Sequence, residues 1–179
     1  MVDWQTIWKA PEFPLRVESV VAADASGVER TQWRVRNSET ANGGGAAVLV
    51  AEDTQRVLLV RQYRIRLDRS LWEVPRGMAE LTDANPLATA HRELLEETGI
   101  DGGDGEFCGL IYPDSGLLAT QTGLGLFVVP HEGVHAGQTD GEVDEQAWFS
   151  KEEIRGLINC GELRDAISLA ALTATGVLN

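Results

Sequence analysis

The sequence predicts a mixed α/β domain, and three observations carry that expectation. Hairpin-like alternation runs through the region before Pro75, the period becomes helical over Pro86–Thr98, and further strand-like runs then precede two more helical stretches. Leu15–Val21 and Val28–Val35 flank Asp24-Ala25-Ser26-Gly27, the signature of a β-hairpin around a glycine-containing turn. Asn42-Gly43-Gly44-Gly45 is the strongest break and reads as a joint, dividing a β-hairpin segment at 1–42 from a main domain at 43–179.

Beyond the joint, Ala46–Ala51 and Arg56–Tyr63 read as strands, and Leu71–Pro75 as a short strand that proline stops. Pro86 suits the first turn of a helix and Gly99 the position just past its end. Glu106–Tyr112, Gly123–Val129 and Val143–Phe149 are strand candidates. Ser150 with Glu153 forms a capping-box pattern opening a short helix, and Leu163–Thr173 closes the chain as another.

Charge narrows the function. The 179 residues carry 28 Asp+Glu against 15 Lys+Arg, a formal charge of -13, which argues against binding driven by attraction to a nucleic-acid backbone. Cys108 and Cys160 have no metal-site or disulfide spacing and are expected as buried reduced thiols. No apolar stretch reaches the roughly 18–20 residues of a membrane span, and the N-terminus lacks a signal-peptide pattern, so a cytoplasmic location is expected.

On the helix, Glu93, Glu96 and Glu97 fall at i, i+3 and i+4, within an arc of about 100°. Leu87, Ala88, His91, Leu94 and Leu95 lie opposite and are expected to face the core. Stacked carboxylates repel one another, and a hard divalent cation offsets that repulsion. On charge alone, a solvated acidic face accounts for the same residues.

The wider pattern favours the cation. Gly77, then Arg92-Glu93-Leu94-Leu95-Glu96-Glu97-Thr98-Gly99-Ile100, closely resembles the Nudix box, and the second half agrees at every specified position. The first half departs: one extra residue separates Gly77 from Arg92, so the first box glutamate falls on Asp83 or Ala84, with Glu80 as a further candidate. The resemblance implies a Nudix-type α/β/α sandwich with a mixed sheet, preceded by an N-terminal antiparallel β segment. It implies Mg2+ or Mn2+ held by Glu93, Glu97 and Glu96, with the backbone carbonyl of Arg76 as a further ligand and Arg92 orienting the glutamates.

Val57–Arg64, Leu71–Pro75 and Gly161–Ala166 are similar to the ADP-ribose and nucleoside-diphosphate-sugar pyrophosphatase branch. That likeness implies hydrolysis of a nucleoside diphosphate derivative to a nucleoside monophosphate and a sugar phosphate, in a homodimer. Arg61, Glu73, Arg76, Gly77 and Pro113 are the expected substrate contacts. Glu142, then Glu145, is the expected general base, with Glu96 and Arg92 also in the catalytic set. Two alternatives stay open: a non-catalytic nucleotide-sugar sensor, motivated by the altered first half of the box, and a nucleoside triphosphate pyrophosphohydrolase.

Overall fold

A computed structural model describes residues 2–37, 43–134, 141 and 143–178. Two sheets organise them. The first has three antiparallel strands in chain order, β1 (Gln5–Lys9), β2 (Leu15–Ala23) and β3 (Glu29–Asn37). The anticipated hairpin is β2–β3, whose turn Asp24 holds by accepting hydrogen bonds from the Ser26 and Val28 N–H groups. Sequence patterning missed β1: its five residues are all exposed, so no buried face imposed an alternation.

The second sheet has seven strands: β4 (Gly44–Ala51), β5 (Val57–Arg64), β6 (Arg69–Glu73), β7 (Arg76–Met78), β8 (Glu106–Ile111), β9 (Thr122–Val129) and β10 (Glu145–Phe149). Its spine runs β10-β5-β4-β9-β8, with β6 paired to β5 and β7 paired to β4. β4 and β9 are parallel and the other pairs are antiparallel, so the sheet is mixed.

Helix α1 (Pro86–Thr98) covers one face of this sheet, packing Ala90 and Leu94, with Ile100 just past its end, on Ala47, Leu49, Leu58 and Phe127. Helices α2 (Lys151–Cys160) and α3 (Ala166–Ala174) supply Ile154, Ala171 and Leu172 to the other face, against Ala46, Val48, Leu59 and Trp72. The result is an α/β/α sandwich with an antiparallel sheet before it. The capping signals hold: Asn85 caps α1 ahead of Pro86, Gly99 ends it at φ +69°, and Ser150 and Glu153 form a capping box on α2.

Several expectations need correction. Gly44 and Gly45 open β4, and they permit close approach. A Cβ on Gly45 would lie 2.3 Å from the backbone nitrogen of Ala90, so glycine lets α1 sit directly on the strand. Leu95 is exposed and does not face the core. Cys160, at the end of α2, is exposed, while Cys108 is half-buried; both are free thiols. The strands expected at Arg56–Tyr63 and Leu71–Pro75 have other bounds: β5 continues to Arg64 and β6 begins at Arg69. Among the described residues, no helix is long and apolar enough to cross a membrane.

Candidate active site

The turn from β7 into α1 builds the site. Gly77, on β7, lies against the middle of α1, and a Cβ there would sit 2.3 Å from the Glu93 carboxylate. No other residue leaves room for Glu93 in that position. One turn on, Glu97 is 2% exposed. Its Oε1 accepts a 2.6 Å bond from Gln62 Nε2, and its Oε2 accepts one of 3.3 Å from the Arg76 N–H. Burial pushes the Glu97 carboxyl up to about 8, and the charge of Glu93 adds to that shift, against the opposing bond from Gln62.

Arg92 organises the loop. It donates to Asp83 (3.2 and 3.1 Å), to Glu96 (2.7 Å) and to the Met78 carbonyl (2.7 Å), and it lies 2.9 Å from Glu93. Burial works against its charge, but Asp83 and Glu93 hold it protonated beyond its ordinary range. Burial likewise opposes the charge on Asp83, yet Arg92, the Glu80 N–H and the Thr89 hydroxyl keep its carboxyl below the usual value. Of the three candidates for the displaced first-half carboxylate, Asp83 is therefore the one paired with Arg92.

Glu73, 1% exposed, receives two bonds from Arg64 (2.9 and 2.5 Å) and an ion pair from Arg76 (2.7 Å). Arg76 in turn forms a bidentate pair with Asp165 (3.0 and 2.9 Å). Arg64, Arg76, Gly77, Arg92, Glu93, Glu96 and Glu97 share a cavity of about 730 Å³, closed on one side by Phe13 and Pro14 from the β1–β2 connection. An adjoining cavity of about 660 Å³, reached past Arg64 and Arg76, carries Tyr63, Arg66, Arg69 and Arg164.

The remaining expected residues lie apart. Arg61 is on the face of β5 opposite Gln62, over Trp72, with Glu145 at 3.7 Å and Glu162 at 3.8 Å. Strand alternation sends it to the α2–α3 side, so the structure does not bring it to the box. Glu145 is exposed on edge strand β10, and Glu142 lies outside the described residues. Pro113 begins a loop that bonds to β3 through Val35 and lines a different cavity, with Trp4, Trp33 and Arg34.

The donor set fits a hard divalent cation. Glu93 and Glu97 are two buried carboxylates one turn apart on α1, and oxygen donors of this kind suit such a cation. Among the described residues, no group of three or more His, Cys, Asp or Glu side chains converges, so a cation here would also draw on backbone carbonyl and water. Sequence reasoning missed Gln62, Asp165 and Phe13. Gln62 had a local signal, as a polar residue among buried ones on β5; the other two become neighbours only through the fold.

Residues 42–172 match the NUDIX domain, most of the chain. The chain belongs to the Nudix family. Within it, 57 residues are 39% identical to an ADP-ribose pyrophosphatase of Mycobacterium tuberculosis, covering 32% of this chain and 28% of that protein. A Bacillus subtilis ADP-ribose pyrophosphatase is 43% identical over 56 residues, 31% of this chain and 30% of its own length. A Streptomyces rubellomurinus CMP-5'-(N-acetyl-N-hydroxy-3-aminopropyl)phosphonate hydrolase is 26% identical over 136 residues, 75% of this chain and 62% of that one. The chain thus spans less than a third of the two pyrophosphatases. The fold is shared with a crystal structure of an ADP compounds hydrolase: TM-score 0.71 at 18% identity, over 97% of this Nudix chain and 89% of that one.

Proposed function

We propose that this Nudix protein hydrolyses the diphosphate bond of ADP-ribose or a related nucleoside diphosphate sugar, in a Mg2+- or Mn2+-dependent reaction. The products are a nucleoside monophosphate and a sugar phosphate. The observation that carries the reading is the buried Glu93–Glu97 pair against Gly77, in a cavity walled by arginines. The local likeness to two ADP-ribose pyrophosphatases supports the substrate class.

Glu93 and Glu97 would hold the cation, with the Arg76 carbonyl as a further ligand and Glu96 in support. A cation held there would neutralise diphosphate oxygens and lower the pKa of water. Arg92 holds Glu93 and Glu96 in place and keeps the loop closed through Asp83. The attacking water gives its proton to a carboxylate base, for which Glu142 is the first candidate; Glu145, the second, starts β10 beside Arg61 and lies apart from the box. The bridging P–O bond breaks as the new P–O bond forms.

The substrate's remaining groups extend past Arg64 toward the arginine-lined cavity. Arg66 and Arg164, both exposed there, recognise phosphate in the forked geometry that guanidinium allows. Arg76 and Glu73 contribute by shaping the wall. The motive for a non-catalytic sensor weakens, because the displaced carboxylate is replaced by Asp83 on Arg92. The partner we expect is a second copy, joined through the three-stranded sheet.

Product analysis decides among the substrate classes. Purified protein with Mg2+ should turn ADP-ribose into AMP and ribose 5-phosphate. Release of inorganic diphosphate from nucleoside triphosphates would favour the triphosphate reading instead. Tight binding without products across the nucleotide panel would establish the sensor.

A further inference from the structure

We propose that Asp165, which caps α3, is a positioning residue for the cation site, acting through Arg76. The proposal rests on the reading above that Glu93 and Glu97 bind a divalent cation.

The stretch that enters the box interrupts strand pairing, and between β6 and β7 its Pro75 carbonyl accepts the Ala47 N–H of β4 at 2.9 Å. β6 ends at Glu73, β7 begins at Arg76, and Pro75 has no N–H to give. The N-cap of α3 and a residue of its first turn also hold it. Ser168, fully buried, accepts the Val74 N–H at 3.0 Å and donates to Asp165 Oδ2 at 2.8 Å. Asp165 takes the Ser168 N–H at 2.8 Å, as a helix cap does, and also grips the Arg76 guanidinium through both oxygens. Glu73 binds the same guanidinium from the other side. The Arg76 side chain is thus committed to two carboxylates, and its role is that of a tether.

What it tethers matters. The Arg76 N–H is hydrogen-bonded to Glu97, and Gly77, next in the chain, packs on the Glu93 carboxylate. A shift of the 74–77 backbone therefore moves the surroundings of both proposed cation ligands at once. Asp165 lies 68 positions from Glu97 in the chain, yet one residue, Arg76, links it to Glu97, and Gly77, the next residue, lies on Glu93.

The test is Asp165→Ser, which keeps an N-cap oxygen but is too short to reach Arg76. Mn2+ affinity is read by electron paramagnetic resonance and substrate KM at saturating Mn2+ by turnover. We expect Mn2+ binding about 10-fold weaker, with KM within about twofold of the parent, as for loss of a group that orients a ligand. Arg76→Gln should weaken Mn2+ similarly, and the double variant no more than the worse single one. Asp165→Asn, retaining the cap and one acceptor, should fall between, and it serves if the serine variant does not fold. Mn2+ affinity unchanged in a folded Asp165 variant, or additive effects in the double variant, would overturn the proposal alone. Absence of Mn2+ binding by the unaltered protein would overturn it together with the cation reading.

Discussion

Glu97 concentrates the chemistry at the scale of a single residue. Its carboxyl is raised from an ordinary 4.5 to about 8 in the folded, metal-free protein. Between those values the folded state holds a proton that the unfolded state has released, so metal-free stability falls as pH rises through that window. Glu97→Gln removes the effect, and Gln62, whose buried Oε1 has no partner among the described residues, can turn its amide to suit the new side chain. Scanning calorimetry from pH 5 to pH 8 should therefore show the variant's melting temperature gaining on the parent's as pH rises. A constant difference would contradict it. The same substitution should lower Mg2+-dependent turnover by on the order of 100-fold or more, beyond the usual loss of a supporting group. Cation binding must displace that proton, so the Mn2+ affinity of the parent should increase with pH up to about 8.

At the scale of the element, α1 works as a carrier that glycines let down onto the sheet. Gly45→Ala places a methyl against the backbone of Ala90, which no rotamer change relieves. Denaturant unfolding should show a loss of about 1–3 kcal/mol, the range for overpacking, and turnover should fall because the helix carries Glu93 and Glu97 with it. Unchanged turnover would mean the helix position is not limiting. The loop before α1 makes a second case. Asp83→Ala leaves the partly buried Arg92 without its main carboxylate, and about 1–3 kcal/mol of stability should go. Arg92 and the helix boundaries were legible in the sequence because capping residues and the box pattern are local. The partnership of Asp83 was not, since a one-residue insertion can be absorbed anywhere in the loop until Arg92 chooses its acceptor.

Considered as a whole molecule, the three-stranded sheet stands out. Strand register puts Trp8, Val21 and Trp33 on one face, and each is at least half exposed. An apolar face of this kind suits a second copy of the chain. Sedimentation velocity should give a dimer, and Trp33→Glu should shift it toward monomer. A monomer at all concentrations would remove that expectation. The charge of -13 is likewise a whole-molecule property, but its distribution carries the meaning: acid gathers on α1, while arginines line the adjoining cavities.

The sequence alone determined the mixed α/β class, the span and caps of α1, the carboxylate face and the family resemblance. Each depends on residues within a turn or two of one another, where spacing and backbone geometry leave few choices. Tertiary structure alone decided which side of the sheet each strand residue faces, and so it separated Arg61 from the box while bringing Gln62 to Glu97. It also made Gly45 a seat for α1, and set Asp165 beside Arg76. Those outcomes rest on sheet order and on burial, which are properties of the assembled core and are carried by no local stretch of chain.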